Sequence, residues 1–547
     1  MGRLVTVLIF VTLTVWAAEP GSPIYFEHRP IDFTLDPSET PRRRAPETMA
    51  GGVAVFDYDN DGDIDILFLN GADIETLEKS GPEFRNRLFA NDGRGNFADV
   101  THEAGLAGHG YDTGAAVADY DNDGDQDIFV AGVHRYSLYR NNGDGTFTEV
   151  TREAGLAEPD AEFGPLWAVG GVWGDFDRDG LLDLFVTNYL RWVAADEPVC
   201  EFRGVNEYCH PGLYDPLPNR LYINNGDGTF RDLSASSGIR DFPGKGMGAC
   251  LADFDLDGND DIFVANDKIF NFLFRNAGGL KFEEVAFEAG LALPEHGKFI
   301  SGMGVDCRDL DNDGLTDIAF VALNNETFPI FRNMGDRAFE EITASTGLAM
   351  LSRDKAGYSP AIVDFDNDGW KDLFVSRGHV QSLAMSDRLV IEQHNTVFRN
   401  LGGGTMAALT KEAGLEAAAP KRHRGTGQAD FDGDGRIDVV VSALDKPAEI
   451  WMNRSPGGHH WLMLRLRGTK SNRDGIGARI KVVSASLTQY NHVTTAVGYA
   501  SSSAAPAHFG LGRDAVADLI EIYWPSGKVQ TLEQVKAGQI LQVIEPE

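Results

Sequence analysis

Five aspartates stand at alternate positions in DYDNDGDID, residues 57–65. Carboxylates packed this closely repel one another, most severely where water is scarce, so the stretch is tolerable only with a cation among them. The pattern returns as DYDNDGDQD (119–127), DFDRDGLLD (175–183), DFDLDGNDD (253–261), DLDNDGLTD (309–317), DFDNDGWKD (364–372) and DFDGDGRID (430–438), which makes seven loops in all.

Comparing the copies assigns a role to each position. Aspartate is invariant at positions 1, 3, 5 and 9. These are Asp57, Asp59, Asp61 and Asp65 in loop 1, Asp119, Asp121, Asp123 and Asp127 in loop 2, and Asp175, Asp177, Asp179 and Asp183 in loop 3. Loop 4 has Asp253, Asp255, Asp257 and Asp261, and loop 5 has Asp309, Asp311, Asp313 and Asp317. Loop 6 has Asp364, Asp366, Asp368 and Asp372, and loop 7 has Asp430, Asp432, Asp434 and Asp438. Position 6 is always Gly, as a sharp turn at positive φ requires. Position 7 varies from Asp to Leu, Trp and Arg, so only its backbone carbonyl can matter.

Four carboxylates and a carbonyl form an oxygen-only set for a hard cation of flexible coordination, which is Ca²⁺ rather than Mg²⁺. Up to seven structural Ca²⁺ are expected. At extracellular affinities each would stabilise the fold by about 1.4 kcal/mol with calcium tenfold above Kd. These loops are not EF-hands: position 12, where that motif needs Glu, is Phe68, Val130, Val186, Val264, Phe320, Val375 and Val441.

The elements holding the loops are strands. Each loop follows a run such as GGVAVFD and precedes one such as DILFL or DIFVA. Further along each unit, stretches such as RLFANDGRGNFADVTHEAGL (87–106) and SLYRNNGDGTFTEVTREAGL (137–156) read as strand, N-G or D-G turn, strand. Seven four-stranded units predict an all-β fold, a seven-bladed β-propeller over 18–455. The seventh unit lacks its last strand, which PIYFEHRPIDFT (23–34) can supply. Residues 456–547 change character, and HWLMLRLRG, ARIKVVSA and LIEIYWP predict a small all-β domain.

The loop pattern resembles the FG-GAP (VCBS) repeats of integrin α-subunit propellers, where such loops hold calcium. SNRDGIGA (471–478), HFGLG (508–512) and WPSG (524–527) resemble the signature of the ASPIC/UnbV domain. The combination is similar to the cartilage acidic protein family and to secreted bacterial propellers. The family commonly has Gln where this chain has Ser502, and a basic residue where it has Tyr523.

The formal charge of −35 argues against nucleic acid and against adhesion to anionic lipid. The loop aspartates account for 28 of the 83 acidic residues, so much of the acidity is metal ligand. Arg3, an apolar run from Leu4 to Trp16 and a small-x-small pattern ending at Ala17 predict a signal peptide over 1–17, hence a secreted, extracellular or periplasmic protein without membrane insertion of the mature chain. Cys200 and Cys209, nine residues apart, are expected to form a local disulfide, and Cys250 and Cys307 to be buried free thiols.

Three long connections, 71–86, 189–219 and 377–395, fall on the face opposite the aspartate loops, where binding would sit. Arg191, Trp192, Tyr208, His210 and Tyr214 of the longest suit a sugar or a protein hot spot. The leading expectation is an extracellular binding or adhesion module for a glycan or protein ligand. One alternative is a carbohydrate-active lyase or hydrolase using His210, Glu207, Arg377, His379 and His394. Another is an accessory role in a biosynthetic or secretion pathway.

Overall fold

The computed structural model describes residues 22–157 and 159–547, so the signal-peptide expectation for 1–17 lies outside the described residues. Each unit forms an antiparallel four-stranded sheet, as in Asp112–Ala118, Asp127–Gly132, Tyr136–Asn141 and Phe147–Glu149. Among the described residues seven sheets carry the aspartate loops, six of four strands and the first of six, and each loop joins the first strand of its unit to the second. The first strands are Val53–Phe56, Asp112–Ala118, Ala168–Gly174, Gly246–Ala252, Val305–Arg308, Gly357–Val363 and His423–Ala429. Each packs against the next, and the seventh packs back against the first, which gives a propeller-like arrangement.

Small residues make that approach possible. A Cβ on Gly114 would lie 2.0 Å from Val169 O, and one on Gly304 would lie 2.8 Å from Tyr358 O, each on the neighbouring first strand. Apolar side chains from facing sheets fill the wedges between them. Phe185, Phe274 and Trp173 are almost fully buried there, each worth about 1.5–3 kcal/mol of transfer free energy.

Phe26–Thr34 pairs antiparallel with Pro447–Asn453, Phe26 opposite Asn453, and so completes the seventh sheet from the other end of the chain, as expected. Cys200 and Cys209 are bonded, 5.3 Å apart at Cα. The expectation for the other pair is corrected: Cys250 and Cys307 are joined. They lie on the first strands of neighbouring sheets, with side chains in one shared core and Cα atoms 6.1 Å apart, within reach of a disulfide.

The tail is all-β, as expected, with sheets Ala507–Gly512/His460–Arg467/Gln539–Ile544 and Thr488–His492/Arg479–Ser484/Val516–Tyr523/Val529–Lys536. A boundary at 455/456 marks the change of pattern, yet the tail does not stand apart. Ser501–Ser503 joins the first sheet, Ala54 pairing parallel with Ser502. Around it, Ala500 O accepts from Ala115 N, Ser502 Oγ from Val117 N, Ser503 Oγ from Gln428 N and Ser359 Oγ from Tyr499 N. The segment thereby runs among the first strands of the ring. Tyr499 is fully buried, with its hydroxyl 2.6 Å from Met49 O and its ring edge-on to Tyr358. Met49 belongs to a segment entering from the opposite side, so the two plugs meet in the middle.

Candidate metal centres

Each aspartate loop is held by its own carboxylates. Position 1 accepts from the backbone N–H of Gly at position 6, as Asp119 Oδ2 does from Gly124 at 2.8 Å. Those glycines sit at φ between +83° and +105°, where a side chain is strained. Position 4 is also left-handed throughout, from Asn60 to Gly433. At position 5, Asp61 Oδ1 accepts from Asp63 N at 2.9 Å.

Position 9 has a role that spacing alone did not reveal. Asp65 accepts from Tyr58 N (3.0 Å) and Asn91 N (2.8 Å), and Asp127 from Tyr120 N and Asn141 N. The same two acceptances recur at Asp183, Asp261, Asp317, Asp372 and Asp438. This aspartate ties the loop to the third strand of its own sheet, in addition to any metal it ligates.

The partner asparagine closes a second network. Asn141 Nδ2 donates to Tyr58 O of the preceding loop, Asn224 to Tyr120 O, Asn276 to Phe176 O, and so on around to Asn91, which donates to Phe431 O of loop 7. This Asn stands at the same place in every unit, at the end of the third strand and just ahead of the turn, and the repeat alone assigns it no partner.

The donor chemistry fits a hard cation. In loops 1 to 5, three carboxylates each bring an oxygen within 4.8 Å of the others. Asp57 Oδ1, Asp366 Oδ1 and Asp432 Oδ1 are buried without a hydrogen-bond partner. Burial, reinforced by neighbouring carboxylates, pushes Asp57 up to about 6 and Asp119 to about 8. Arginines answer part of this charge: Arg332 pairs with Asp311 and Asp313, Arg399 with Asp366 and Asp368, and Arg454 with Asp432 and Asp434. Loops 2 and 3 have no such pair at positions 1, 3, 5 and 9 among the described residues.

The tail covers this face and reaches every loop. Arg465 Nη2 approaches Gly62 O at 3.5 Å, Asp474 Oδ2 accepts from Asp119 N, and Arg178 donates to Pro525 O. A Cβ on Gly477 would meet Asp260, and one on Gly314 would meet Tyr490. Gly512 N donates to Asn367 O, and the Trp461 ring lies where a Cβ on Gly435 would go. The signature stretch SNRDGIGA therefore contacts loops 2 and 4, HFGLG contacts loop 6 and WPSG contacts loop 3.

On the opposite face the long connections are packed. Trp192, Tyr208 and Tyr214 are buried, their polar atoms bonded to Glu197 or Glu47, so none presents a ring for stacking; Arg191 and His210 are the exposed members of the five. The residues considered for catalysis are largely committed. Glu207 holds Ser382 N and Oγ, and Arg377 binds Gln393 and Thr396. His379 bonds Asn324, and burial pushes it down to about 4. His210 caps Gly212 N, and His394 is half-buried.

Comparison with known proteins places these features. The FG-GAP-like repeat pattern matches residues 57–130, 119–186, 213–290 and 309–375, and the ASPIC and UnbV pattern matches 468–547. Cartilage acidic protein 1 of Homo sapiens is 26% identical over 519 residues, 91% of this chain and 72% of its own length. The Mus musculus protein of that name is 25% identical over 523 residues, 92% and 75%. Among solved structures, an Agrocybe aegerita lectin recognising non-reducing terminal N-acetylglucosamine is 17% identical, covering 73% of this chain and 87% of its own, with a TM-score of 0.38. Likeness at that level says nothing of ligand or chemistry.

Proposed function

This chain belongs to the family of FG-GAP-like repeat proteins that end in an ASPIC and UnbV domain, and we propose that it is a secreted, calcium-stabilised, seven-bladed β-propeller acting as an extracellular binding module for a glycan or protein ligand. The observation that carries this reading is the division of labour between the two faces. The aspartate loops, with donor sets that fit Ca²⁺, are held under the tail, while the two longest insertions stand on the other face, pinned to each other by Glu207 and Ser382.

Those insertions expose Val199 (67%), Leu213 (61%) and Val390 (67%), apolar contacts of the kind a protein partner covers. Two disulfides support an oxidising compartment, and no helix among the described residues is long and apolar enough to cross a membrane. In this reading calcium is structural: the Asp residues at positions 1, 3, 5 and 9 hold it, and it supplies the counter-charge that lets them pack.

The test is retention on a glycoprotein and polysaccharide panel in millimolar calcium, with released fragments measured in parallel. Retention without fragments, lost in the Leu213→Asp/Val390→Asp double variant, is the expected result. Release of fragments would overturn the binding-module reading.

A further inference from the structure

We propose that the cleft between loops 1 and 2 and the tail domain binds an oxyanion, the carboxylate or sulfate group of an acidic ligand. This site lies on the face opposite the long insertions and does not depend on their having a ligand.

The cleft has a volume of about 270 Å³ and is lined by Arg465, Arg467 and Arg473. Strand alternation puts the first two side by side. Leu462, Leu464 and Leu466 of His460–Arg467 turn into the tail core, so Arg465 and Arg467 share the other side of the strand, roughly 7 Å apart at Cα. Arg473 comes from the following loop, where its Nη2 lies 2.8 Å from the place a Cβ on Gly124 would take.

These guanidinium groups are not spent. Arg465 makes only long approaches, 3.5 Å to Gly62 O and 3.7 Å to Asp57 Oδ2. The guanidinium groups of Arg467 and Arg473 have no hydrogen bond or ion pair among the described residues. Two carboxylates also line the cleft: Asp474 accepts from Asp119 N at 2.8 Å and Gln126 Nε2 at 2.7 Å, and Asp57, a candidate metal ligand, accepts from Gly62 N through Oδ2.

In a chain of formal charge −35, three arginines face this one cleft, two of them without a carboxylate partner among the described residues and the third with only the long approach to Asp57. Planar guanidinium forks match carboxylate and sulfate oxygens in pairs. Gln126 Oε1, buried at the same cleft without a donor, would accept from a hydroxyl on the anion's framework.

The experiment is calorimetric titration of the full chain in calcium at fixed ionic strength, with sodium sulfate, sodium D-glucuronate and methyl β-D-glucoside. Saturable binding of sulfate and glucuronate, and none of the neutral glucoside, is expected. Arg467→Gln and Arg473→Gln should each weaken it roughly five- to tenfold without moving the melting temperature. Neither side chain holds the fold, and the Arg473 backbone bond to Asn122 survives the substitution. Arg152→Gln, at a separate cavity, should leave the titration unchanged. Glucuronate binding more tightly than sulfate assigns the site to an acidic sugar, and the reverse assigns it to a free inorganic ion. No saturation with either anion, or titrations unaltered in both cleft variants, overturns the proposal.

Discussion

The two roles found for the loop aspartates separate under substitution. Loop 2 is the cleanest place to look, because no arginine pairs with Asp119, Asp121, Asp123 or Asp127 among the described residues. Asp127 accepts from two backbone amides, Tyr120 N at 3.2 Å and Asn141 N at 2.8 Å, and Asp127→Ala leaves both without their partner. A buried amide left unpaired costs about 1–3 kcal/mol, so the loss is about 2–6 kcal/mol in chelator, with the lost ligand adding to it in calcium. Asp121 accepts only a 3.3 Å contact from Asp123 N, which Asn can also accept. Asp121→Asn therefore removes little but ligand charge. It should cost about 1.4 kcal/mol with calcium tenfold above Kd, and nothing, or a slight gain from reduced repulsion, in chelator. Differential scanning calorimetry of both variants in millimolar calcium and in excess chelator decides it. If Asp121→Asn is equally destabilising in both buffers, position 3 is not a metal ligand. If Asp127→Ala matches wild type in chelator, the two backbone bonds are not what that residue contributes.

Other outcomes follow from the same geometry. Burial alone would push Glu449 up, but His423 and Lys421 beside it hold its carboxyl down at about 2. A depressed carboxylate contributes stability above its unfolded value of 4.5, lost as pH falls toward 2. Wild type should therefore shed about 3 kcal/mol across that window that Glu449→Gln does not, as read from denaturant midpoints against pH. Tyr499→Ala should cost about 3–5 kcal/mol, and calorimetry should still show one transition for propeller and tail; two separate transitions would mean that the plug does not couple them. Alkylation of the denatured chain should give no adducts before reduction and four after it, since all four cysteines are bonded.

What the sequence displayed was whatever repeats locally. The Gly at position 6, the strands on either side and the N-G hairpins are each fixed by residues within a dozen positions, and comparing copies cancels the noise. Even the closing strand 23–34 could be found, because a four-strand unit with one strand missing advertises the gap. The plug could not: Ser502 meets Ala54 across 448 residues, and SSSAAPA carries no strand pattern, since its pairing is set by the hole it enters. Cys250 and Cys307 look like apolar strand residues until two sheets are known to be adjacent. Spacing told which aspartates recur but not that position 9 spends its oxygens on backbone amides. Nor could aromatic residues in a long insertion be known to pack inward.

The pairing of Phe26–Thr34 with Pro447–Asn453, and of Ser502 with Ala54, also sets a timetable. A ribosome delivers the first strand of the seam long before the second, and delivers the plug later still. Until then the early strand has no partner, the ring has two raw edges, and its middle is hollow. The half-made chain is thus held short of its final form by topology alone, and contacts this distant in sequence make the last step slow.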